Sequence, residues 1–165
     1  MHPGDPDHPM RRSEKALDEV GEIEAILEAS LVLRLAMCDA SRPYIVPLNF
    51  AYRANRLYIH SAREGRKIDI LRANPRVCFQ VDADVGLIAP DDATKACGFT
   101  MRYRSVVGTG TAAIHEDAST ITTGLDLIMA RVSDRAFEYP EAALKKAAMI
   151  VVDVHEMSGK QSGMA

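Results

Sequence analysis

Three β-rich runs follow one another between residues 30 and 62, and they constrain the fold more than any other feature of the sequence. The runs read "SLVLRLAMC", "YIVPLNFAY" and "LYIHSA", with the turn-forming stretches "DASRP" and "RANR" around them. Such runs, bounded by Gly, Pro, Asn and Asp, are typical of antiparallel strands joined by short turns. We therefore predict a three-stranded meander. Proline cannot donate a ladder hydrogen bond, so Pro47 predicts an edge or a bulge in the middle strand.

The rest of the chain adds strands and short helices around this meander. "RVCFQVDAD", "FTMRYRSVVGTGTAAIHE" and "IVVDVH" predict further strands, the second bending at Gly108 or Gly110, and "VGLIAPDDATKACG" predicts a loop. Apolar spacing predicts a helix over 17–29, with a buried stripe of Val20, Ile23, Ile26 and Leu27. It predicts a second, short helix in "GRKIDILRANP", with Ile68, Ile70 and Leu71 inside and "NP" as its stop. Two more helices are predicted, one over 117–132 with Leu125, Ile128 and Met129 inside and a short one over "PEAALKKAAM". Five or six strands without regular βαβ alternation predict a mainly β fold with peripheral α, a six-stranded antiparallel barrel.

Length and charge limit the classes of function. The 165 residues suit one domain, and we expect residues 1–10, which hold three prolines, to be a disordered tail before a single domain over 11–165. A net charge of -3 without a basic stripe predicts no nucleic-acid partner, and apolar runs far below about 20 residues predict no membrane span. Three cysteines without CxxC spacing and the lack of a charged-then-apolar leader favour a cytoplasmic protein with reduced thiols.

The stretch "YIHSAREGRKI" places two cations where a helix begins. Gly65 permits a tight turn, and Arg66 and Lys67 follow it in the first helical turn. Cations are unfavourable at a helix N-terminus unless an anion is close, because the helix dipole is positive there. The motif therefore fits either a phosphate site or a solvated helix start.

Other reactive side chains form no self-sufficient catalytic set. His60 alternates with Ile59 along its strand, Cys97 and the pair Asp91 and Asp92 lie in the predicted loop, and no two histidines have metal-ligand spacing. "GTGTAA" lacks the third glycine and the helix of a dinucleotide-binding turn, and no hydrolase or P-loop motif occurs. This pattern favours chemistry supplied by a cofactor and predicts no metal site.

Four blocks of sequence together resemble a known family. In order, "PYIVPLNFAY", "LYIHSAREGRKIDILRANPRVCFQV", "YRSVVGTGTAAI" and "VVDVHEMSGKQ" are similar to the FMN-binding split-barrel proteins related to pyridoxamine 5'-phosphate oxidase, and most of all to the nitroimidazole-resistance (Nim) flavoproteins. The resemblance covers about residues 11 to 161. It implies a split β-barrel of the FMN-binding type, a homodimer, and FMN in a cleft between the two protomers.

The resemblance also implies roles for particular residues. Arg66 and Lys67, with help from Ser61, correspond to the residues that hold the FMN phosphate. Residues of the strand "IVPLNF" lie along the isoalloxazine, Ser105 matches a polar residue near the ring or the ribityl chain, and His60 is the expected catalytic residue beside the flavin. The implied cofactor-binding set is Val46, Pro47, Leu48, Asn49, His60, Ser61, Arg66, Lys67 and Ser105.

The sequence departs from the pyridoxamine phosphate oxidases in its substrate half. Their "SRK" is "GRK" here, the C-terminal segment with its Trp and Arg is missing, and the chain contains no Trp. We therefore expect an FMN-dependent oxidoreductase that passes electrons from a reduced nicotinamide or a deazaflavin to a small acceptor, such as a nitroaromatic or quinone-like compound, and not an oxidase of vitamin B6. The alternative is a non-catalytic flavin-binding or haem-handling split barrel, for which His115 or His155 would be the axial ligand.

Overall fold

The computed structural model describes residues 10–164, so the predicted tail lies almost entirely outside the described residues. The described chain is mainly antiparallel β structure with peripheral helices, as predicted, but it has eight strands where six were expected. The strands are β1 (Ala16–Leu17), β2 (Val32–Asp39), β3 (Arg42–Asn49), β4 (Ala51–Arg53), β5 (Arg56–Ala62), β6 (Arg76–Ile88), β7 (Thr100–His115) and β8 (Ala147–Ser162). The helices are α1 (Val20–Ala29), α2 (Arg66–Ala73), α3 (Ala118–Met129) and α4 (Glu141–Leu144).

The strand order makes the sheet an incompletely closed barrel. The order is β3-β2-β6-β7-β8-β5-β4, and β1 pairs with β8. β3 and β4 therefore stand at the two ends of the sheet, although a single residue, Phe50, separates them along the chain. A sheet whose two end strands are joined in this way has to curl on itself. β3 also lies against β5 without forming ladder pairs with it, which leaves the barrel split along that line.

The predicted meander is correct in its two antiparallel pairings and wrong in treating the middle run as one strand. β3 pairs only with β2, and β4 pairs with β5, so the middle run is divided between two edges of the sheet. The division falls at Phe50, whose side chain is 1% exposed. Burying this ring in the core draws the chain from one edge of the sheet to the other. Pro47 lies on the edge strand β3, as predicted, where its missing N–H breaks no ladder on the open side.

The β6–β7 hairpin is longer than the sequence predicted. Residues 85–88, expected in a loop, extend β6 because β7 offers ladder partners as far as Thr100, after an irregularity between Ala83 and Gly86. The predicted bend in β7 occurs at Gly110, where the register against β8 shifts by one residue. A Cβ atom at Gly110 would lie 2.5 Å from the carbonyl oxygen of Asp153, so the close approach of the strands requires glycine there.

Two hydrophobic clusters lie on either side of the sheet. The larger fills the barrel and includes the inner faces of α1 and α2, with Ile23, Ile26 and Leu27 buried as predicted, and Ile68, Ile70 and Leu71 likewise. Val20, predicted to be buried, is 41% exposed at the first position of α1. The smaller cluster packs α3 on the outside of β5 and β8.

α3 and α4 close this outer layer. Leu125 and Ile128 pack on the smaller cluster as predicted, while Ile121 and Gly124 are the fully buried positions of α3. α4 is a single short turn begun by Pro140. None of the helices in the described part of the chain combines the length and hydropathy that a membrane-spanning helix needs.

Candidate functional site

The gap between β3 and β5 is the most distinctive feature of the barrel wall. We call it the split: residues 46–49 of β3 form one side and residues 59–62 of β5 form the other. β4 pairs with β5 only as far as Tyr58, and continuing that register would set Asn49 opposite His60. No such pairs form in the described chain, so the facing edges of both strands keep backbone N–H and C=O groups outside the ladders. Two unpaired strand edges can bond the polar rim of a planar heterocycle.

The N-terminus of α2 lies immediately after β5. Gly65 precedes the helix with a φ of 115°, which only glycine adopts without strain, and open space surrounds its Cα. The amides of Ile68 and Asp69 donate to the Gly65 carbonyl oxygen at 2.8 and 3.1 Å, and no side chain caps the helix. The amides of Arg66 and Lys67 precede these bonds and are free for an external acceptor. This end of the helix is therefore suited to an anion.

Lys67 is the cation at this helix end whose charge no described residue neutralises. Its side chain is half-buried and makes no ion pair or hydrogen bond with any residue that the structure describes. Burial lowers the pKa of Lys67 below its ordinary value of 10.5, because a charged ammonium loses hydration there. Burial also lowers the pKa of His60, and the charge of Lys67 lowers it further. Lys67 and His60 are therefore close enough to interact where β5 ends and α2 begins.

Arg66 has a different environment from Lys67. Its Nη2 donates to Oδ2 of Asp39 at 3.3 Å, and its guanidinium lies 4.4 Å from the centre of the Tyr44 ring. These contacts direct Arg66 toward the turn between β2 and β3, on the other wall of the split. The two adjacent cations thus flank the mouth of the split from one helical turn. The contacts of Asp39 and Tyr44 with Arg66 were not predicted from the sequence.

The remaining expected site residues differ in exposure and in position along the sheet. His60 is exposed on the outer face of β5, as alternation predicts, and Ser61 faces the core with 6% exposure. Ser105 pairs with Lys160 of β8, whereas His60 pairs with Met149, and eleven positions of β8 separate those two partners. At the rise of an extended strand this is about 35 Å along β8. Within one chain, therefore, Ser105 is not brought together with Lys67 and His60.

Arg131 fixes the closed end of the split and was not expected from the sequence. It donates Nη1 to the carbonyl oxygen of Phe50 at 2.7 Å and Nη2 to that of Glu28 at 2.7 Å and that of Ser30, and its guanidinium lies 5.0 Å from the centre of the Phe50 ring. These bonds tie the β3–β4 junction to the C-terminus of α1, whose carbonyls favour a cation. An isolated arginine after a helix carries no pattern that predicts such contacts.

Other groups considered from the sequence form no second centre. No cluster of three or more His, Cys, Asp or Glu side chains suited to a metal occurs among residues 10–164. Cys97 is exposed, Asp92 pairs with Lys95 at 3.3 Å, and His155 contacts Thr111 at 3.2 Å. The three thiols are free, as predicted.

Comparison with known proteins identifies the family. The family model described as pyridoxamine 5'-phosphate oxidase matches residues 19–161, which is most of the chain. This chain belongs to the pyridoxamine 5'-phosphate oxidase family. The match includes every residue of the split, the start of α2 and Ser105, so the candidate site lies wholly within the family domain.

Relatives within and around this family carry names that refer to flavins or to nitroimidazoles. A Bacteroides thetaiotaomicron protein named for 5-nitroimidazole antibiotic resistance is 29% identical, with a TM-score of 0.77 over 88% of this chain and 85% of its own. An FAD-binding protein from Mesorhizobium loti is 25% identical, with a TM-score of 0.65 over 90% and 98%. An uncharacterized Rhizobium meliloti protein is 36% identical over 53% of this chain, and the match spans only 55% of that relative.

Proposed function

We propose that this chain is an FMN-dependent oxidoreductase that transfers electrons from a reduced nicotinamide, or from a deazaflavin, to a small acceptor such as a nitroaromatic or quinone-like compound. The observation that carries the proposal is Lys67, a half-buried cation at the uncapped start of α2, beside the open split, with no counter-ion among residues 10–164. A desolvated cation at a helix N-terminus costs free energy unless an anion joins it. The family match and the flavin-binding relative at 25% identity support a flavin phosphate as that anion.

The residues present fit FMN at both of its polar ends. Lys67, Arg66 and the free amides of α2 would hold the phosphate, with Ser61 behind them on β5. The open edge of β3, from Val46 through Pro47 and Leu48 to Asn49, would bond the rim of the ring system, and Pro47 limits that edge to carbonyl contacts at its own position. When bound, FMN supplies the capacity to take up a hydride and to release electrons singly or in pairs.

His60 is proposed to orient the electron acceptor. Burial and the charge of Lys67 lower the pKa of His60 below the ordinary 6.5 and so favour the neutral form of the imidazole. A neutral imidazole offers one N–H donor and one nitrogen acceptor, and it can hold a nitro or carbonyl oxygen by a hydrogen bond without adding charge. The relative named for nitroimidazole resistance, at 29% identity, supports an acceptor of this class.

We propose a homodimer with FMN at the interface, because Ser105 can reach such a site only from a second copy. The outer face of the sheet supports pairing: Ile45 on β3 is 59% exposed and Val107 on β7 is 45% exposed. Exposed apolar side chains on a sheet face favour contact with another protein surface. A cytoplasmic location is part of the proposal and is supported by the three free thiols.

The absorbance spectrum of the purified protein, with identification of the released cofactor, tests this function. The proposal expects two flavin bands and FMN as the released compound, and rapid bleaching of the blue band by NADH, NADPH or a reduced deazaflavin. Slow bleaching by all three donors would indicate a flavin carrier instead of an oxidoreductase. A Soret band would indicate a haem-handling protein, and loss of the FMN bands in a His60→Gln variant would contradict an acceptor-orienting role for His60.

A further inference from the structure

A cavity lies beside Arg66. It has a volume of about 510 Å³ and separates the turn after β2 from the outer side of α2. We call it the α2 cavity; Cys38, Asp39, Arg66, Asp69 and Asn74 are among its lining residues. Because Arg66 lines this cavity and is one of the two cations at the start of α2, the cavity is the space beside a phosphate held at Arg66.

The charges in the α2 cavity oppose a second anion. Arg66 is the only cation among its lining residues, and Asp39 already holds it at 3.3 Å. Asp69 adds a second carboxylate, and it has no ion pair with the residues that the structure describes. The cavity therefore carries two carboxylates against one guanidinium. Lys67, in contrast, is not among the lining residues of the cavity and lies close enough to His60 to lower the pKa of that histidine.

We propose that Asp39 and Asp69 make the site selective for a flavin mononucleotide over a flavin dinucleotide. The inference rests on the proposed function, because it requires the flavin phosphate to lie at Arg66 and Lys67. FMN ends in one phosphate, whose charge meets both cations. FAD continues with a second phosphate and adenosine, and that second charge would enter the α2 cavity beside two carboxylates. Like charges at this separation repel in a partly hydrated site, so FAD loses affinity that FMN keeps.

Two variants and a matched control test the proposal. Asp39→Asn and Asp69→Asn each remove one negative charge from the α2 cavity with little change in shape. Asp92→Asn is the control: Asp92 forms an ion pair of the same 3.3 Å length with Lys95, and its side chain is 49% exposed against 47% for Asp39. The full chain, freed of flavin, is titrated with FMN and with FAD by quenching of flavin fluorescence, at low and at high salt.

The expected result is a change in the ratio of the two dissociation constants. Wild type and Asp92→Asn bind FMN more tightly than FAD, and Asp39→Asn and Asp69→Asn each narrow that preference by about threefold to tenfold. The effect shrinks in high salt because the charges are partly exposed. The rate of alkylation of Cys38, which lines the cavity, gives a second measurement. In the Asp39→Asn variant, bound FAD should slow this alkylation more than bound FMN does.

The outcomes separate the inference from the proposed function. If FMN binds in a Lys67-dependent way and the FMN:FAD ratio stays constant in both variants, the selectivity role is wrong and the proposed function stands. If wild type prefers FAD, the inference is also wrong. If wild type binds neither flavin, the proposed function fails and the inference fails with it. If one of the two variants does not fold, the other still tests the proposal, because Asp39 and Asp69 lie on different elements.

Discussion

Replacing Lys67 by methionine tests whether Lys67 serves to bind FMN or to stabilise the fold. A binding role predicts that the flavin-free protein becomes more stable, and a structural role predicts that it becomes less stable. Methionine keeps the length and helix propensity of the side chain and removes the charge. In the flavin-free protein Lys67 is a half-buried ammonium at the positive end of the α2 dipole, and no described residue compensates it. Its removal should therefore stabilise the flavin-free protein while weakening the binding of FMN.

The magnitudes follow from the surroundings of Lys67. A cation at a helix N-terminus costs about 0.3–1 kcal/mol, so the free energy of unfolding should rise by about that amount, or about 1–4 °C in Tm. A charge-assisted hydrogen bond to a phosphate contributes about 1.5–3 kcal/mol. FMN should accordingly bind about 10- to 100-fold more weakly to the variant. Riboflavin, which lacks the phosphate, should bind equally to both proteins.

The assay pairs thermal unfolding of the flavin-free protein with titration by FMN and by riboflavin. Lys146→Met is the control, because Lys146 is an exposed lysine after α4 and carries the same charge. The pH dependence of FMN binding gives an independent check. Because protonated Lys67 holds an anion best, FMN affinity should be highest below the lowered pKa of Lys67. The affinity should fall as the pH rises through that pKa, at a pH below the ordinary lysine value of 10.5.

Three results would argue against a phosphate-binding role for Lys67. FMN affinity in Lys67→Met within twofold of wild type would remove Lys67 from the phosphate site. A flavin-free variant that unfolds more easily than wild type, by several degrees, would show that Lys67 makes a stabilising contact. Equal losses for FMN and riboflavin would indicate damage to the split as a whole, which also contradicts a specific contact with the phosphate.

Three further predictions concern the barrel and the histidine. Arg131→Met removes the donor that holds the Phe50 carbonyl, so urea denaturation should show a loss of about 2 kcal/mol, with Arg131→Lys intermediate; equal stability of all three proteins would contradict the clamp at the split. Gly108→Ala places a methyl group against the Phe79 ring and should cost about 1–3 kcal/mol in the same assay, whereas an unchanged midpoint would show that the ring can shift. Because the pKa of His60 is lowered on folding, the unfolded chain binds more protons, and stability should decline as pH falls through about 6.5. His60→Gln should remove that part of the decline, and an identical pH profile for the variant would contradict it.

The local patterns in the sequence predicted elements well because they depend on neighbouring residues. The inner faces of α1 and α2 were readable from apolar spacing, and Pro47 marked an edge strand because a proline cannot serve a ladder on both sides. Gly110 was readable as the bend of β7 for a similar reason, since only glycine allows so close a strand.

The pairing of strands far apart in the sequence could not be predicted from local patterns. The run "YIVPLNFAY" looks like one strand, and nothing in it shows that burial of Phe50 divides it between opposite edges of the sheet. Residues 85–88 contain Gly and lie near Pro90, so they resemble a loop, yet β7 supplies their ladder bonds.

The candidate site shows the same limit. Gly65, Arg66 and Lys67 are adjacent in sequence, and a helix start explains them without tertiary information. Asp39, Tyr44 and Arg131 reach the site only through folding, and no local spacing marks them. The environments that distinguish Arg66 from Lys67, an ion pair for one and burial for the other, are likewise set by the barrel and not by the motif.

A crystal structure of the chain bound to FMN would show whether the phosphate lies at Lys67. We expect the phosphate within hydrogen-bonding distance of Lys67 Nζ and the α2 amides, about 2.7–3.2 Å, with the ring along the open edge of β3. Ser105 of a second copy should approach the flavin in the same structure. FMN bound outside the split, or a phosphate more than about 8 Å from Lys67 Nζ and thus beyond direct contact, would contradict the account.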